Sequence, residues 1–175
     1  LPLNINGWTP KNYYNYFNGY VTVRQAIAKS MNLPAVRTVQ SMDLNFAYNF
    51  AKELGLKSLL PTDKAIAPLS LGGLTKGVKP IEMANAYATI ANNGIYNEPK
   101  FYTRVVDKDG NLILEADYTT KKVMNENTAN MLKSCLQDVV KYGTAYGYVN
   151  LGNNFVAGKT GNTDGDVDQW FCGFS

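Results

Sequence analysis

The chain has 175 residues, with 17 Lys and Arg against 14 Asp and Glu, a formal net charge of +3 and 45% hydrophobic residues. This length and apolar content suit one globular unit, and the dispersed basic residues do not favour nucleic acid as a partner. Histidine is absent, which excludes every mechanism built on an imidazole base and removes the commonest ligand of zinc. We predict neither a metal nor another cofactor.

The two cysteines, Cys135 and Cys172, are too far apart for a CxxC pair or a metal knuckle. Two buried thiols are favoured over a disulfide between them, which remains open. The acidic run at residues 164–168 lacks the glycine and glutamate positions of a calcium loop, so a solvated turn is favoured. The aromatic residues among the first twenty positions are assigned to loop anchoring rather than to a glycan-binding surface.

The first elements follow from local signals. Residues 1–20 lack periodicity and are predicted to be irregular. Thr22 and Gln25 have the spacing of a capping box, which predicts a helix start. Pro34 disfavours continuation of that helix, so residues 30–32 are expected at a helix end and the start of a loop. The buried side of the helix is predicted to comprise Val23, Ala26, Ile27 and Met31.

Further along, apolar residues at helical spacing predict helices over residues 43–54, 80–91 and 125–142. Phe46 and Met131 are placed in the apolar stripes of the first and the last of these. Alternating residues around the turn at 107–111 predict a hairpin of residues 101–106 and 112–115. Two strands are expected at 154–161 and 168–174. Helices with antiparallel strands predict the α+β fold class.

Lys159, Thr160 and Gly161 form a K-T-G at the end of a predicted strand. Alone this tripeptide is a weak signal. A Ser-x-Asn, formed by Ser30 and Asn32, lies upstream at a predicted helix end. The two motifs occur together in enzymes whose active-site serine is acylated by penicillin.

With these motifs the sequence resembles the transpeptidase domain of the penicillin-binding proteins, most closely the bifunctional class A type. The resemblance covers nearly the whole chain. It is carried by five blocks in order: VTVRQAIAKSMNLPAV at 21–36, LGGLTKGVKPIEMA at 71–84, YATIANNG at 87–94, AGKTG at 157–161 and QWFCG at 169–173. It implies the α+β penicilloyl-serine transferase fold, similar to β-lactamases, with an antiparallel sheet packed between helices.

The resemblance also implies a reaction and its partners. A serine would attack a D-alanyl-D-alanine stem peptide of peptidoglycan, form an acyl-enzyme and pass the acyl group to an amine. β-Lactam antibiotics would occupy the same site. Because the chain has no histidine, the base must be a lysine with a lowered pKa. The class is anchored to the outer face of the bacterial membrane by an N-terminal helix.

The resemblance assigns several of the family's roles to residues of this chain. Lys159 would lower the pKa of the family's first lysine and position the Ser30 hydroxyl, which relays a proton to the leaving amine. Asn32 would hydrogen-bond the peptide and the first lysine. Thr160 would hold the substrate carboxylate, and Gly161 would let the peptide lie along the strand.

Position 162 departs from the family pattern, which has a second threonine where this chain has Asn162. The amide of its side chain can donate to a carboxylate as a hydroxyl does, and its backbone N–H would serve the oxyanion hole. Thr163 is a further substrate-binding candidate that could partly replace the missing hydroxyl.

A larger departure is that no serine of the chain has lysine three residues later. The resemblance places the S-x-x-K nucleophile and first lysine upstream, in another part of the same polypeptide. Residues 1–175 are thus expected to form a partial transpeptidase domain that is inert alone. The alternative is a non-catalytic β-lactam sensor on the same fold. A β-lactamase is disfavoured because no carboxylate stands out as the activator of a deacylating water.

Overall fold

The computed structural model describes residues 2–14, 16–117, 119–152 and 154–175, apart from the Asp164 side chain. Within these ranges, six α-helices and six short strands follow one another along the chain. The helices are α1 (Val23–Ala28), α2 (Asn32–Gln40), α3 (Leu44–Glu53), α4 (Ile66–Leu71), α5 (Pro80–Ala91) and α6 (Glu126–Lys141). The strands are β1 (Ile95–Asn97), β2 (Arg104–Val106), β3 (Leu112–Glu115), β4 (Thr120–Lys122), β5 (Ala157–Asn162) and β6 (Gln169–Phe174).

Side-chain caps begin three of the helices at the positions the sequence indicates. The Thr22 hydroxyl accepts from the Gln25 amide at 3.2 Å, and the Gln25 side chain accepts from the Thr22 amide at 3.0 Å. Asp43 accepts from the first-turn amides of α3, and Asn125 accepts from the Thr128 amide in α6. These bonds satisfy amides that have no partner inside a helix, which fixes where each helix begins.

The loop predicted after residue 30 is much shorter than expected, because α2 already begins at Asn32. Pro34 lies in the first turn of α2, where its missing N–H would have had no partner within the helix. The proline therefore prevents α1 from continuing while allowing a second helix to start. The sequence reasoning also missed helix α4 and the short pair of strands β1 and β4.

The strands form three antiparallel pairs among the described residues: β1 with β4, β2 with β3, and β5 with β6. In the last pair Lys159 lies opposite Cys172, and Thr160 lies opposite Phe171. Helix α6 contacts β5, and α5 contacts β6. The predicted α+β class, with antiparallel strands against helices, is confirmed, although the strands are separate pairs here.

The core lies between these helices and β5. Its buried members are Ile90, Met124, Ala129, Leu136 and Ala157. Both cysteines are free, as predicted, but they are half-buried rather than buried. None of the described helices has the length and apolar character needed to cross a membrane.

Burial was predicted wrongly for three residues of the apolar stripes. Val23, Phe46 and Met131 are 72%, 65% and 71% exposed. An apolar stripe is buried only where another element lies against it, and periodicity cannot say where that is. Helix α1, for example, contacts α2 and α6, and the residue it buries completely is Ala28.

Candidate active site

Ser30 ends helix α1 in a left-handed backbone conformation, with φ of 52°. Its amide donates to the Ile27 carbonyl at 3.1 Å, and the Met31 amide donates to the Ala26 carbonyl at 2.9 Å. This pair of bonds is a Schellman motif, whose left-handed position glycine normally occupies. A serine there costs about 1 kcal/mol relative to glycine. The position therefore keeps a hydroxyl at the expense of backbone strain.

Arg24 helps to hold helix α1 against α6. The Arg24 guanidinium donates to the Asp138 carboxylate at 2.5 Å, and to the backbone and side-chain oxygens of Ser134 at 3.0 Å each. The hydrogen bond from Arg24 holds the pKa of Asp138 below its ordinary value. Since α6 also contacts β5, these bonds help to fix the position of α1 relative to that strand.

Strand β5 brings Lys159 to Ser30. The Lys159 ammonium nitrogen donates to the Ser30 hydroxyl at 2.7 Å and to the Thr160 carbonyl at 2.9 Å. Burial lowers the pKa of Lys159 to about 8, because removing an ammonium from water disfavours its charged form. Lys159 is therefore still mainly protonated at neutral pH, but it releases its proton far more readily than an exposed lysine.

Gly158 lets β5 lie tightly on β6. A Cβ at this position would be 2.4 Å from the Phe171 ring and 2.6 Å from the Cys172 carbonyl oxygen. Only glycine therefore fits immediately before the lysine. This close packing contributes to the burial of the strand at the point where Lys159 leaves it.

The other residues predicted to bind substrate follow Lys159 along the chain. Gly161 and Asn162 are exposed at the end of β5, and Thr163 follows directly. The Asn162 side chain donates to the Asp166 carboxylate at 3.0 Å. The Thr163 hydroxyl accepts from the Asp168 amide at 2.9 Å. The turn between β5 and β6 thus holds both side chains, and their roles toward a substrate stay predictions.

Asn32 has a different partner from the one its motif suggests. Its side-chain nitrogen donates to the Lys11 carbonyl at 2.9 Å, so it connects α2 to the irregular N-terminal segment. The structure brings Ser30 and Lys159 together but gives Asn32 this other contact. A role for Asn32 in binding peptide stays a prediction.

Thr144 was missed by the sequence reasoning. Its hydroxyl lies 2.5 Å from the Thr160 hydroxyl, and either atom can be the donor. The residue follows the glycine that ends α6, where neither periodicity nor a local motif points to chemistry. The separation of Thr144 and Thr160 along the chain hid their contact.

The arrangement is therefore a lysine of lowered pKa, hydrogen-bonded to a serine and followed by threonine and glycine on a strand. The family model of the penicillin binding protein transpeptidase domain matches residues 2–174. The chain belongs to this family, as its sequence blocks predicted.

Curated relatives agree with this assignment. Penicillin-binding protein 1A of Clostridium botulinum strain Hall is 39% identical over 168 residues, which are 96% of this chain and 20% of that protein. Penicillin-binding protein 1F of Bacillus subtilis strain 168 is 38% identical over 174 residues, which are 96% of this chain and 24% of that protein. The chain therefore spans between a fifth and a quarter of the length of these two relatives.

Solved structures show the same fold. The penicillin-binding protein PonA1 of Mycobacterium tuberculosis matches with a TM-score of 0.85 at 23% identity, over 100% of this chain and 50% of that one. The D,D-transpeptidase domain of a peptidoglycan glycosyltransferase from Eggerthella lenta matches with a TM-score of 0.78 at 24% identity, over 98% and 49%. The predicted penicilloyl-serine transferase fold is thereby confirmed.

Proposed function

We propose that this chain supplies one side of the active site of a peptidoglycan DD-transpeptidase, which cross-links cell wall by serine acyl transfer from D-alanyl-D-alanine stem peptides. The observation that carries the proposal is the 2.7 Å hydrogen bond from Lys159 to Ser30. Family membership supports the same reaction class. The complete polypeptide acts at the outer face of the cell membrane and is a target of β-lactam antibiotics.

Lys159 and Ser30 form the proton-handling part of this site. Because the lysine donates to the serine oxygen, the serine's own proton is free to point elsewhere. When the peptide bond breaks, Ser30 gives its proton to the leaving D-alanine nitrogen and takes one from Lys159. A pKa of about 8 suits this transfer, since an efficient acid has a pKa near the working pH.

Strand β5 and the threonine on it bind the acyl donor. The Thr160 hydroxyl donates to the terminal carboxylate of the peptide, which gives a charge-assisted hydrogen bond. The stem peptide lies extended along β5, whose described strand partner is β6 on one side. Gly161 leaves room beside the strand, since no atom lies within 4 Å of a Cβ built there. The backbone N–H of Asn162 supplies an oxyanion-hole donor.

The nucleophilic serine and the first lysine belong to an S-x-x-K, which is absent from these 175 residues. We assign both to another part of the same polypeptide. In this arrangement the Lys159 ammonium lowers the pKa of the first lysine, because two nearby cations disfavour each other's charge. The first lysine is then neutral and serves as the base toward the nucleophile.

The proposal is tested with the full polypeptide that contains this chain, incubated with a D-alanyl-D-alanine peptide and an amine acceptor. We expect release of free D-alanine together with a cross-linked product, both blocked by penicillin. Lys159→Ala should abolish both signals, while Thr120→Val, on the separate pair of β1 and β4, should leave them unchanged. A stable penicillin adduct without any D-alanine release would instead support the β-lactam sensor, and release that is unaffected by Lys159→Ala would contradict the proposed site.

A further inference from the structure

The turn after α6 lies between the two catalytic elements. The Thr144 amide donates to the Ala28 carbonyl at 3.0 Å, two residues before Ser30. On the other side, the Thr144 hydroxyl lies 2.5 Å from the Thr160 hydroxyl on β5. One residue is thus hydrogen-bonded both to the helix that presents Ser30 and to the strand that presents Lys159.

The backbone around Thr144 has little freedom. A Cβ on Gly143 would lie 2.2 Å from the Ala28 carbonyl oxygen and 2.6 Å from the Val139 Cα, so only glycine fits. The next residue, Ala145, is 1% exposed, and its amide donates to the Val139 carbonyl at 3.0 Å. With both neighbours fixed, the Thr144 hydroxyl is held beside Thr160 rather than brought there by a mobile loop.

The chemistry of two hydroxyl groups determines what this contact does when substrate binds. Each threonine hydroxyl has a single proton to donate. Thr160 can donate to a carboxylate only if it does not donate to Thr144. In the bound state Thr144 must therefore be the donor, which gives a chain from Thr144 to Thr160 to the carboxylate. Each bond in such a chain strengthens the next.

We infer that Thr144 is a positioning residue, which orients the Thr160 hydroxyl toward the carboxylate of the acyl donor. This inference rests on the proposed function. Thr144 itself need not touch the substrate. Its contribution depends on the negative charge that Thr160 recognises. The reaction of a ligand without that charge should therefore not depend on Thr144.

The test compares variants of the full polypeptide by their acylation rate constants with penicillin and with its uncharged methyl ester. Thr144→Val keeps the shape of the side chain and removes the donor. We expect acylation by penicillin to fall about 5- to 10-fold, as the loss of one hydrogen bond implies. Acylation by the ester should stay at the wild-type rate, and Thr144→Ser should restore the rate with penicillin.

Two further variants separate this role from a structural one. In a Thr160→Val background, Thr144→Val should have no additional effect, because the chain of donors is already broken. Thr120→Val is the matched control for the loss of a threonine hydroxyl, since it removes a bond to Asn97 on a different strand pair. It should react with both compounds like the wild type.

The acylation rates distinguish failure of the inference from failure of the proposed function. If the wild type reacts and Thr144→Val reacts equally fast with penicillin, the inference is wrong while the proposed function stands. Equal losses with penicillin and its ester would show a structural role and also contradict the inference. If the wild type forms no adduct, the proposed function fails and this inference fails with it.

Discussion

The two hairpin-like strand pairs, β5 with β6 and β2 with β3, have the same antiparallel geometry but very different surroundings. Every residue of β2 and β3 is exposed. Strand β5 begins with two buried residues and packs on α6, while β6 contacts α5. Burial lowers the pKa of Lys159, and helix contacts bring Ser30 to it. The lowered pKa of Lys159 and its contact with Ser30 therefore arise from the packing around β5 rather than from strand pairing.

The largest effect is expected from removing the lysine that this packing perturbs. Lys159→Ala in the full polypeptide should lower the rate of acylation by penicillin about 100-fold or more, the usual contribution of a positioned proton donor or acceptor. The fold should change little, because the lost amine is not part of the core. The measurement is the acylation rate beside the thermal midpoint. A rate close to that of the wild type would remove Lys159 from the mechanism.

Substitutions of Ser30 should separate chemistry from backbone strain. Ser30→Ala and Ser30→Gly both remove the hydroxyl, and each should lower acylation about 100-fold. Their stabilities should differ, because glycine adopts the left-handed conformation of this position without strain. Ser30→Gly should be about 1 kcal/mol more stable than Ser30→Ala in urea unfolding. Equal stabilities would contradict the assigned strain.

The pH dependence follows from the proposed role of a protonated Lys159. Below a pKa of about 8 the lysine holds its proton and can supply it. Acylation should therefore fall as the pH rises through this value, by about tenfold per pH unit on the basic side. Arginine stays protonated throughout, so Lys159→Arg should lose this fall even if its overall rate is lower. If acylation by Lys159→Arg falls at the same pH, the fall is caused by the titration of another group.

A substitution of Gly158 measures how closely β5 and β6 must approach each other. Gly158→Ala forces a methyl group against Phe171 and the Cys172 backbone, and should cost about 1 to 3 kcal/mol of unfolding free energy. Gly73→Ala is the matched control, because no atom lies within 4 Å of a Cβ there. Urea unfolding of both variants is the measurement. Equal midpoints would show that β5 and β6 separate without penalty.

The smallest effect is expected on the exposed pair. Ile113, at 58% exposure on β3, can be replaced by threonine, which keeps the β-branched shape. Stability should change by no more than about 0.5 kcal/mol, and acylation should stay at the wild-type rate. A large loss in either measurement would show that β2 and β3 contribute to the site despite their exposure.

Local signals explain which parts of the fold the sequence could predict. The caps at Thr22, Asp43 and Asn125 were predictable, because a cap involves residues only two or three positions apart. The pairing of β1 with β4 was not. Both strands have three residues, and β4 is a polar run whose partner lies far away in sequence. Burial of Val23 was predicted wrongly because periodicity does not identify a helix's neighbours.

In the candidate site, too, some features were predictable from local sequence and others depend on tertiary packing. Ser30 and Lys159 were singled out by short motifs, and the family resemblance placed them in one site. Their hydrogen bond depends on α1 packing against α6 through Arg24, which no local pattern contains. The contact of Thr144 with Thr160 has no sequence signal at all. Tertiary packing therefore supplied the geometry, while the sequence supplied the chemical groups.

The most direct test of the central claim is intact mass spectrometry of the full polypeptide after brief treatment with penicillin, with the wild type and Lys159→Ala compared at equal times. We expect the wild type to gain the mass of one penicillin and the variant to gain almost none. Equal labelling of the two proteins, or no labelling of the wild type, would contradict the claim that packing around β5 creates a serine acyl-transfer site.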